Sequence, residues 1–370
     1  FKPKWIEKEP PIGSFREVFK YGATDGFKHP SKRLVAELMK SFDLNKEYFN
    51  NFVSTGFEIV ENEIETKLEQ KHIDFFVNLC GQENVSAKTF DRLKYSSGKT
   101  VEEALDLRQK LILPISDLVV HPLNKQIVKD IIDYCNENKI AIYAYGGGSS
   151  VNLGLMPVRG GVTIVLSTHL NKILEINEKN QTVRIEAGIM GPELESQLNI
   201  AKDLFGTKHN FTCGHFPQSF EFSSAGGWFV TLGSGQESSY YGDAADLVLA
   251  VEIITPVGTI KTLEYPATAT GPKVLDLIKG SEGTLGVVVE MTWKLHRFEP
   301  QNRRRFAFIF KDWNSIVEAA KEISQGEFGM PAVMRISDEE ETHFGLKLYG
   351  FDGNIFDKMM SARGFEPMKR

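Results

Sequence analysis

The residues of this sequence best suited to chemistry are small ones. Tyr145, Gly146, Gly147, Gly148, Ser149 and Ser150 open the run YGGGSSVNLG (145–154). Successive glycines remove every β-carbon where the chain turns and admit positive φ, so a ligand can approach bare backbone. Consecutive amides in such a turn form a concave nest for phosphate oxygens, and the serines add hydroxyls. A tight turn between strands needs the same glycines, so this loop alone leaves both readings open. Two further blocks favour diphosphate binding. CGHFPQSFEFSSAGGWFVTLGSGQESSYYGDAADLV (213–248) is crowded with serines and small residues. It is long for a connection in a compact domain and too aromatic for a disordered one. Gly226–Gly227 there would let a short helix pack tightly or a flat ring come close. GSEGTLG (280–286) sets Glu282 among glycines and hydroxyls. Its carboxylate can accept from ribose hydroxyls or amides, or stand as an exposed loop acid.

Two better-known phosphate loops are excluded. A Rossmann turn needs G-x-G-x-x-G opening a helix. Gly148 is followed instead by SSVNLGLMPVRGGVTIVL, with a proline, a glycine pair and a β-branched run. No segment supplies the Gly-Lys-Ser/Thr of a Walker loop after its four spacers.

The elements that must position these blocks are legible by periodicity. Residues 1–50 mix prolines, aromatics and charges and read as an extended arm, turning helical in SKRLVAELMKSF with Leu34, Leu38 and Met39 on one side. LEQKHIDFFVNLCG (68–81) and TVEEALDLRQKLI (100–112) are expected helices. On them His72 and Arg108 are ligand candidates, with capping or solvated roles as the plainer alternative. PISDLVVHP (114–122) is a strand. An amphipathic helix follows, with Ile127, Ile131, Ile132 and Cys135 on its stripe, and then the strand KIAIYA (139–144) feeding the glycine loop. QTVRIEAGI alternates, with Val183, Ile185 and Ala187 on one face. GPELESQLNIAKDLF is a helix with Pro192 in its first turn. This order predicts an α+β subdomain of three or four strands over 113–210. DLVLAVEIITPVGTIKTL (246–263) is a hairpin. After GSEGTLG comes a strand with Val287, Val289, Met291, Trp293 and Leu295 on one face. RRRFAFIFKDWNSIVEAAKEISQG reads as a strand and helix opening a new domain.

At 370 residues, 41% apolar and 25% charged, the chain is ordinary globular protein. A net charge of −6 speaks against nucleic acid as a partner. No apolar run spans a bilayer, and no signal peptide is visible. Cys80, Cys135 and Cys213 lack metal spacing, so no metal site is expected, and their odd number suits a reducing, cytoplasmic setting. A start at Phe1 rather than methionine reads as a trimmed beginning.

GHFPQSFEFSSAGGWFVT, GDAADLVLAVEIITPVG, TGP and GSEGTLGVV, in this order behind the glycine loop, resemble the FAD-binding domain of the vanillyl-alcohol oxidase/p-cresol methylhydroxylase superfamily. Within it they look like the alkylglycerone-phosphate synthases and neighbouring FAD-linked oxidases. The likeness runs from about Pro114 to Gly345. It implies an α+β, two-subdomain, PCMH-type FAD-binding domain at 113–299, divided at 210/211. An N-terminal arm with helices (1–112) precedes it, and the start of a truncated substrate cap (300–370) follows. Ala144–Ser150 matches the diphosphate loop. Pro217, Gln218, Ser219 and Ser223 match the segment beside the flavin, and Thr231, Gly233 and Ser234 the next contact stretch. Glu282, Gly283, Thr284, Gly286 and Val287 match the segment toward the adenosine. Arg335, in PAVMRISD, matches an arginine near the flavin ring, where a cation would stabilise negative charge. A surface ion pair with the following acids is its plainer reading.

The departures are informative. Relatives carry arginine where Leu232 stands and aspartate where Gln218 stands. No histidine lies in the diphosphate loop, which implies a non-covalent flavin. The family's cap continues past GFEPMKR with a catalytic tyrosine and a histidine run, so no catalytic acid or base is carried over, and these 370 residues alone are expected to be inactive. The implied activity is exchange of acyl for alkyl on glycerone phosphate through a flavin adduct. The alternatives are an FAD-linked 2-hydroxy-acid dehydrogenase and a non-catalytic flavin-binding module. A small-molecule substrate is expected, and a homodimer is left open.

Overall fold

The computed structural model describes residues 9–22, 31–50, 54–61, 63–112, 114–265 and 267–366. Parts of the expected N-terminal arm, residues 1–8 and 23–30, lie outside them. The chain divides into two units, one drawn from Pro10–Thr24 and Ser54–Glu299, the other from Phe1–Glu9, Asp25–Val53 and Pro300–Arg370.

The larger unit holds two main sheets. In the first, β1 (Val85–Ser86), β2 (Leu118–Val120), β3 (Ile142–Tyr145) and β4 (Val162–Val165) lie in the order β1-β2-β4-β3. β2, β4 and β3 run parallel, and β1 adds antiparallel to β2. Their apolar runs read as buried strands because both faces are covered, as parallel strands require. Leu118, Val119, Val120, Val162, Ile164 and Val165 are all fully buried. The helix Lys125–Asn138 makes the crossover from β2, capped by Asn124 and buried along Val128, Ile131, Ile132 and Cys135.

The second sheet is antiparallel. Its strands β5 (Ile173–Asn177), β6 (Thr182–Glu186), β8 (Val248–Thr255), β9 (Gly258–Lys261) and β10 (Val287–Lys294) lie in the order β5-β6-β10-β8-β9. The stretch 113–210, expected as one subdomain, contributes to both sheets. β5 and β6 leave the first sheet for the second, because the apolar face of β6 finds its ladder on β10, with Ile185 opposite Met291 and Val183 opposite Trp293. β1, from the segment assigned to the N-terminal helices, joins the first sheet. β7 (Phe211–Thr212) and β11 (His296–Arg297) form a separate antiparallel pair.

β10 also departs from a one-sided strand. Val287, Val289, Met291 and Trp293 are buried as expected, but Val288, Glu290 and Thr292 on the opposite face are buried too. Glu290 is tolerated there because Lys125 at 2.7 Å and Arg184 at 3.1 Å pair with it. The helix expected over 191–205 breaks at Ile200 into Gly191–Asn199 and Ala201–Phe205. That over 100–112 stops at Arg108, two residues before Lys110 turns to φ +64°.

In the second unit, the helix Lys32–Ser41 lies against Glu339–Tyr349. Lys347 pairs with Glu37 at 2.5 Å, and Arg33 donates to the Leu348 carbonyl at 3.4 Å. The strand expected after Pro300 is absent among the described residues. Residues 303–310 are without regular structure, and Phe306 and Phe308 stack on each other at 6.4 Å with their side chains exposed. Alternation alone does not make a strand without a neighbour to supply ladder bonds. The helix Trp313–Gln325 forms as expected, capped by Asp312.

Candidate functional site

β3 delivers its last residue, Tyr145, into the core. Its ring meets Tyr95 edge-on at 5.2 Å and its hydroxyl donates to the Lys94 carbonyl at 3.3 Å. Burial holds the phenol far above its ordinary pKa, so it stays neutral. The chain then turns through Gly146–Ser150 at the carboxyl end of the parallel strands, where open α/β sheets hold ligands.

The glycines of this loop are demanded by the protein itself. A β-carbon on Gly146 would collide with the Ser224 hydroxyl, and one on Gly147 with the Phe222 carbonyl oxygen. Gly148 has φ +70°, and a β-carbon there would strike the Tyr145 hydroxyl. The first and second glycine-rich blocks therefore touch backbone to backbone. The Gly146 carbonyl accepts from Ser167 Oγ at 3.1 Å and the Ser150 carbonyl from the Lys99 amide at 2.7 Å. The amides of Gly147, Gly148, Ser149 and Ser150, by contrast, donate to no acceptor among the described residues. Sequence reasoning expected these N–H groups to cradle phosphate.

In the second block, Pro217, Gln218 and Ser219 lead into a short turn, Phe220–Phe222, with Gln218 exposed. Ser223 is buried and committed: its hydroxyl donates to the Ser219 carbonyl at 2.8 Å and accepts from Trp228 Nε1 at 2.6 Å. Ser224 caps the helix Ala225–Val230. Gly226 packs there against Ala187, which a β-carbon would approach to 2.8 Å. Thr231 Oγ1 bonds back to the Gly227 carbonyl at 2.8 Å, the Gly233 amide donates to the Trp228 carbonyl at 2.7 Å, and Ser234 Oγ donates to Asp243 at 2.7 Å. These side chains shape the block more than they offer donors.

The third block closes the site. The Glu282 amide donates to the Val230 carbonyl at 3.0 Å, and Gly283 lies against Ala144. Thr284 Oγ1 donates to the Ser281 carbonyl at 2.6 Å. Gly286, at φ +153°, passes the Ile254 carbonyl too closely for any side chain, and Val287 enters the core as the first residue of β10. Leu153, Leu232 and Glu282 hold positive φ (+63°, +53° and +47°) without being glycine. Such strain persists only where surroundings over-determine it and gathers at functional sites.

The three blocks thus converge, and all of their predicted residues lie in the larger unit. Arg335 belongs to the second unit, where its exposed side chain pairs with Glu341. His72 bonds to the Tyr134 hydroxyl at 2.8 Å, and Arg108 lies over the Phe19 ring, so neither offers itself to this site. Sequence reasoning missed Phe222 and Ser224, which press on the glycine loop, as well as Ser167 and Asn152. Ser224 carried a signal, a serine before a short helical run. Asn152 carried none. Among the described residues, no group of three or more His, Cys, Asp or Glu is placed to hold a metal, and no helix is long and apolar enough to cross a membrane.

A row of free amides with two adjacent hydroxyls suits a diphosphate, and a loop carboxylate suits the hydroxyls of a sugar. FAD presents both groups, and the β-carbon-free cradle fits it. Residues 116–264 match the family model described as FAD binding domain. An alkyldihydroxyacetonephosphate synthase of Caenorhabditis elegans is 35% identical over 304 residues, covering 80% of this chain and 49% of that protein. The chain therefore spans about half the length of this curated relative. A solved alkyldihydroxyacetonephosphate synthase superposes with a TM-score of 0.78 at 24% identity, over 96% of this chain and 69% of the other. The structure of p-cresol methylhydroxylase with substrate bound gives a TM-score of 0.53 at 19% identity, over 71% and 50% of the two chains, which bears on fold alone.

Proposed function

We propose that this chain, whose residues 116–264 match the FAD binding domain model, is the flavin-binding part of an enzyme exchanging acyl for alkyl on glycerone phosphate. The observation that carries the flavin site is the convergence of the three blocks on the free amides of Gly147–Ser150. The likeness to the Caenorhabditis elegans synthase supports the reaction.

In this reading Gly146–Ser150 hold the diphosphate through backbone N–H groups, and Glu282 accepts from hydroxyls at the adenosine end. Pro217–Ser223 and Thr231–Ser234 form the wall beside the ring. Residues 300–370, Arg335 among them, belong in this reading to the start of the substrate cap. Bound FAD supplies the reactive ring, while the chain binds it, orients it and excludes water from one face. Acyl-for-alkyl exchange has no net redox change, so no electron acceptor is needed. The absence of histidine from the Ala144–Ser150 loop supports non-covalent binding. Cys80, Cys135 and Cys213 are all free and buried, which supports a reducing compartment such as the cytoplasm. A homodimer belongs to the same proposal and is read by light scattering.

Purified protein should show flavin absorbance and release free FAD on acid precipitation. Given acyl-glycerone phosphate and a long-chain alcohol, the complete enzyme should form the alkyl product without bleaching the flavin. Anaerobic bleaching by 2-hydroxy acids would instead make it a dehydrogenase. Protein that is colourless and takes up no added FAD would sink the flavin reading itself.

A further inference from the structure

Asn152 joins the first block to the third. Its Oδ1 accepts from Ser150 Oγ at 2.6 Å and from the Gly154 amide at 3.0 Å. Its Nδ2 faces the Glu282 carboxylate, 3.3 Å from one oxygen and 3.4 Å from the other. Glu282 is fixed from the far side by its own amide on the Val230 carbonyl at 3.0 Å, so one residue ties the second block to the third. The approach is close: a β-carbon on Gly154 would stand 2.9 Å from Glu282 Oε2. Leu153 and Glu282, either side of the bridge, both hold positive φ. Among the described residues no cation pairs with Glu282, so the Asn152 amide is the donor turned toward its carboxylate.

We propose that the Asn152–Glu282 bridge sets the spacing between the glycine nest and the GSEGTLG loop before FAD arrives, making Asn152 a positioning residue for cofactor binding. The proposal rests on the flavin reading of this site. Loops held in their bound arrangement leave less ordering to the binding step, and affinity rises accordingly.

The test is the Kd for FAD, read by quenching of flavin fluorescence, in wild type, Asn152→Asp, Glu282→Gln and the double variant. Asn152→Asp keeps the oxygen that accepts from Ser150 and Gly154, replaces the donor that faces Glu282 with an acceptor and adds one negative charge. Two carboxylates at that separation repel, and Kd at pH 8 should rise about tenfold. In the Glu282→Gln background an amide again faces a carboxylate, and the same substitution should raise Kd less than about twofold. The cycle cancels any contact that Glu282 itself makes with FAD. Asn152→Ala, which removes the donor without adding charge, should weaken FAD in the Glu282 background and serves if Asn152→Asp fails to fold. Equal thermal midpoints of the FAD-free proteins establish that the fold is unchanged. Equal losses in both backgrounds, or wild-type affinity for Asn152→Asp, would overturn the bridge while leaving the flavin site standing. A wild type that takes up no FAD would remove the flavin reading and this proposal together.

Discussion

At the scale of single residues, the glycines of the first loop have a structural reason beyond the ligand that the sequence suggested for them. The sequence read them as admitting positive φ and letting a ligand approach bare backbone. The structure places the Phe222 carbonyl and Ser223 backbone where a β-carbon on Gly147 would stand. Gly147→Val should therefore lose FAD binding and stability together, because backbone of the second block must move before any ligand is considered. Gly227→Ala is the control. Its β-carbon would meet only the Ser224 hydroxyl, at 3.3 Å, and helical alanine gains roughly 0.5–1 kcal/mol over glycine. Thermal melts with and without FAD separate the two, and a stable Gly147→Val that binds FAD normally would mean the loop is misassigned. The loop was legible because its turn needs glycine, as at Gly148 with φ +70°, and glycine is visible in a sequence. Asn152 was not, since its role depends on a partner 130 residues away.

At the scale of elements, most of the second block turns out to be held by its own side chains. Ser223 was expected to contact the cofactor, yet its hydroxyl is taken up by Trp228 Nε1 and the Ser219 carbonyl. Ser223→Ala leaves a buried indole N–H without an acceptor, at a cost of roughly 1–3 kcal/mol. Urea unfolding should register that loss, whereas Ser223→Thr should recover part of it. If Ser223→Ala unfolds like wild type but loses FAD, the hydroxyl serves the ligand instead. Strands and helices with strong periodicity were readable, notably the helix Lys125–Asn138 and β6. The strand expected at 303–310 was not, because a phenylalanine alternation records β-propensity and says nothing about a pairing partner. For β10, periodicity could not show that Lys125 and Arg184 would cover the second face and let Glu290 be buried.

At the scale of the whole molecule, the sheets cut across the divisions that sequence order suggests. β5 and β6 join strands from beyond the second glycine block, and β1 joins strands from beyond Pro114. Chain order cannot reveal such exchanges, since each depends on which apolar face lacks a cover. The same tight assembly gives the fold an acid limit. His215 is fully buried, 4.9 Å from Trp228 and 5.9 Å from Trp293 between ring centroids, and neither of its ring nitrogens has a hydrogen-bond partner among the described residues. Burial lowers its pKa to about 4, against a smaller opposing effect of Asp243. The unfolded chain, near the ordinary value of about 6.5, then binds the proton more readily than the folded one. Stability is therefore full above the unfolded value and falls as pH drops from about 6.5 to 4, by about 3 kcal/mol from this residue. His121 and His296, also lowered chiefly by burial, act in the same direction. His215→Gln removes this titration while leaving the other two. Urea unfolding midpoints across that range should fall less steeply for the variant than for wild type, whatever its stability at pH 7. Parallel slopes would show that His215 is protonated in the fold at no special cost, and that its burial is relieved in solution.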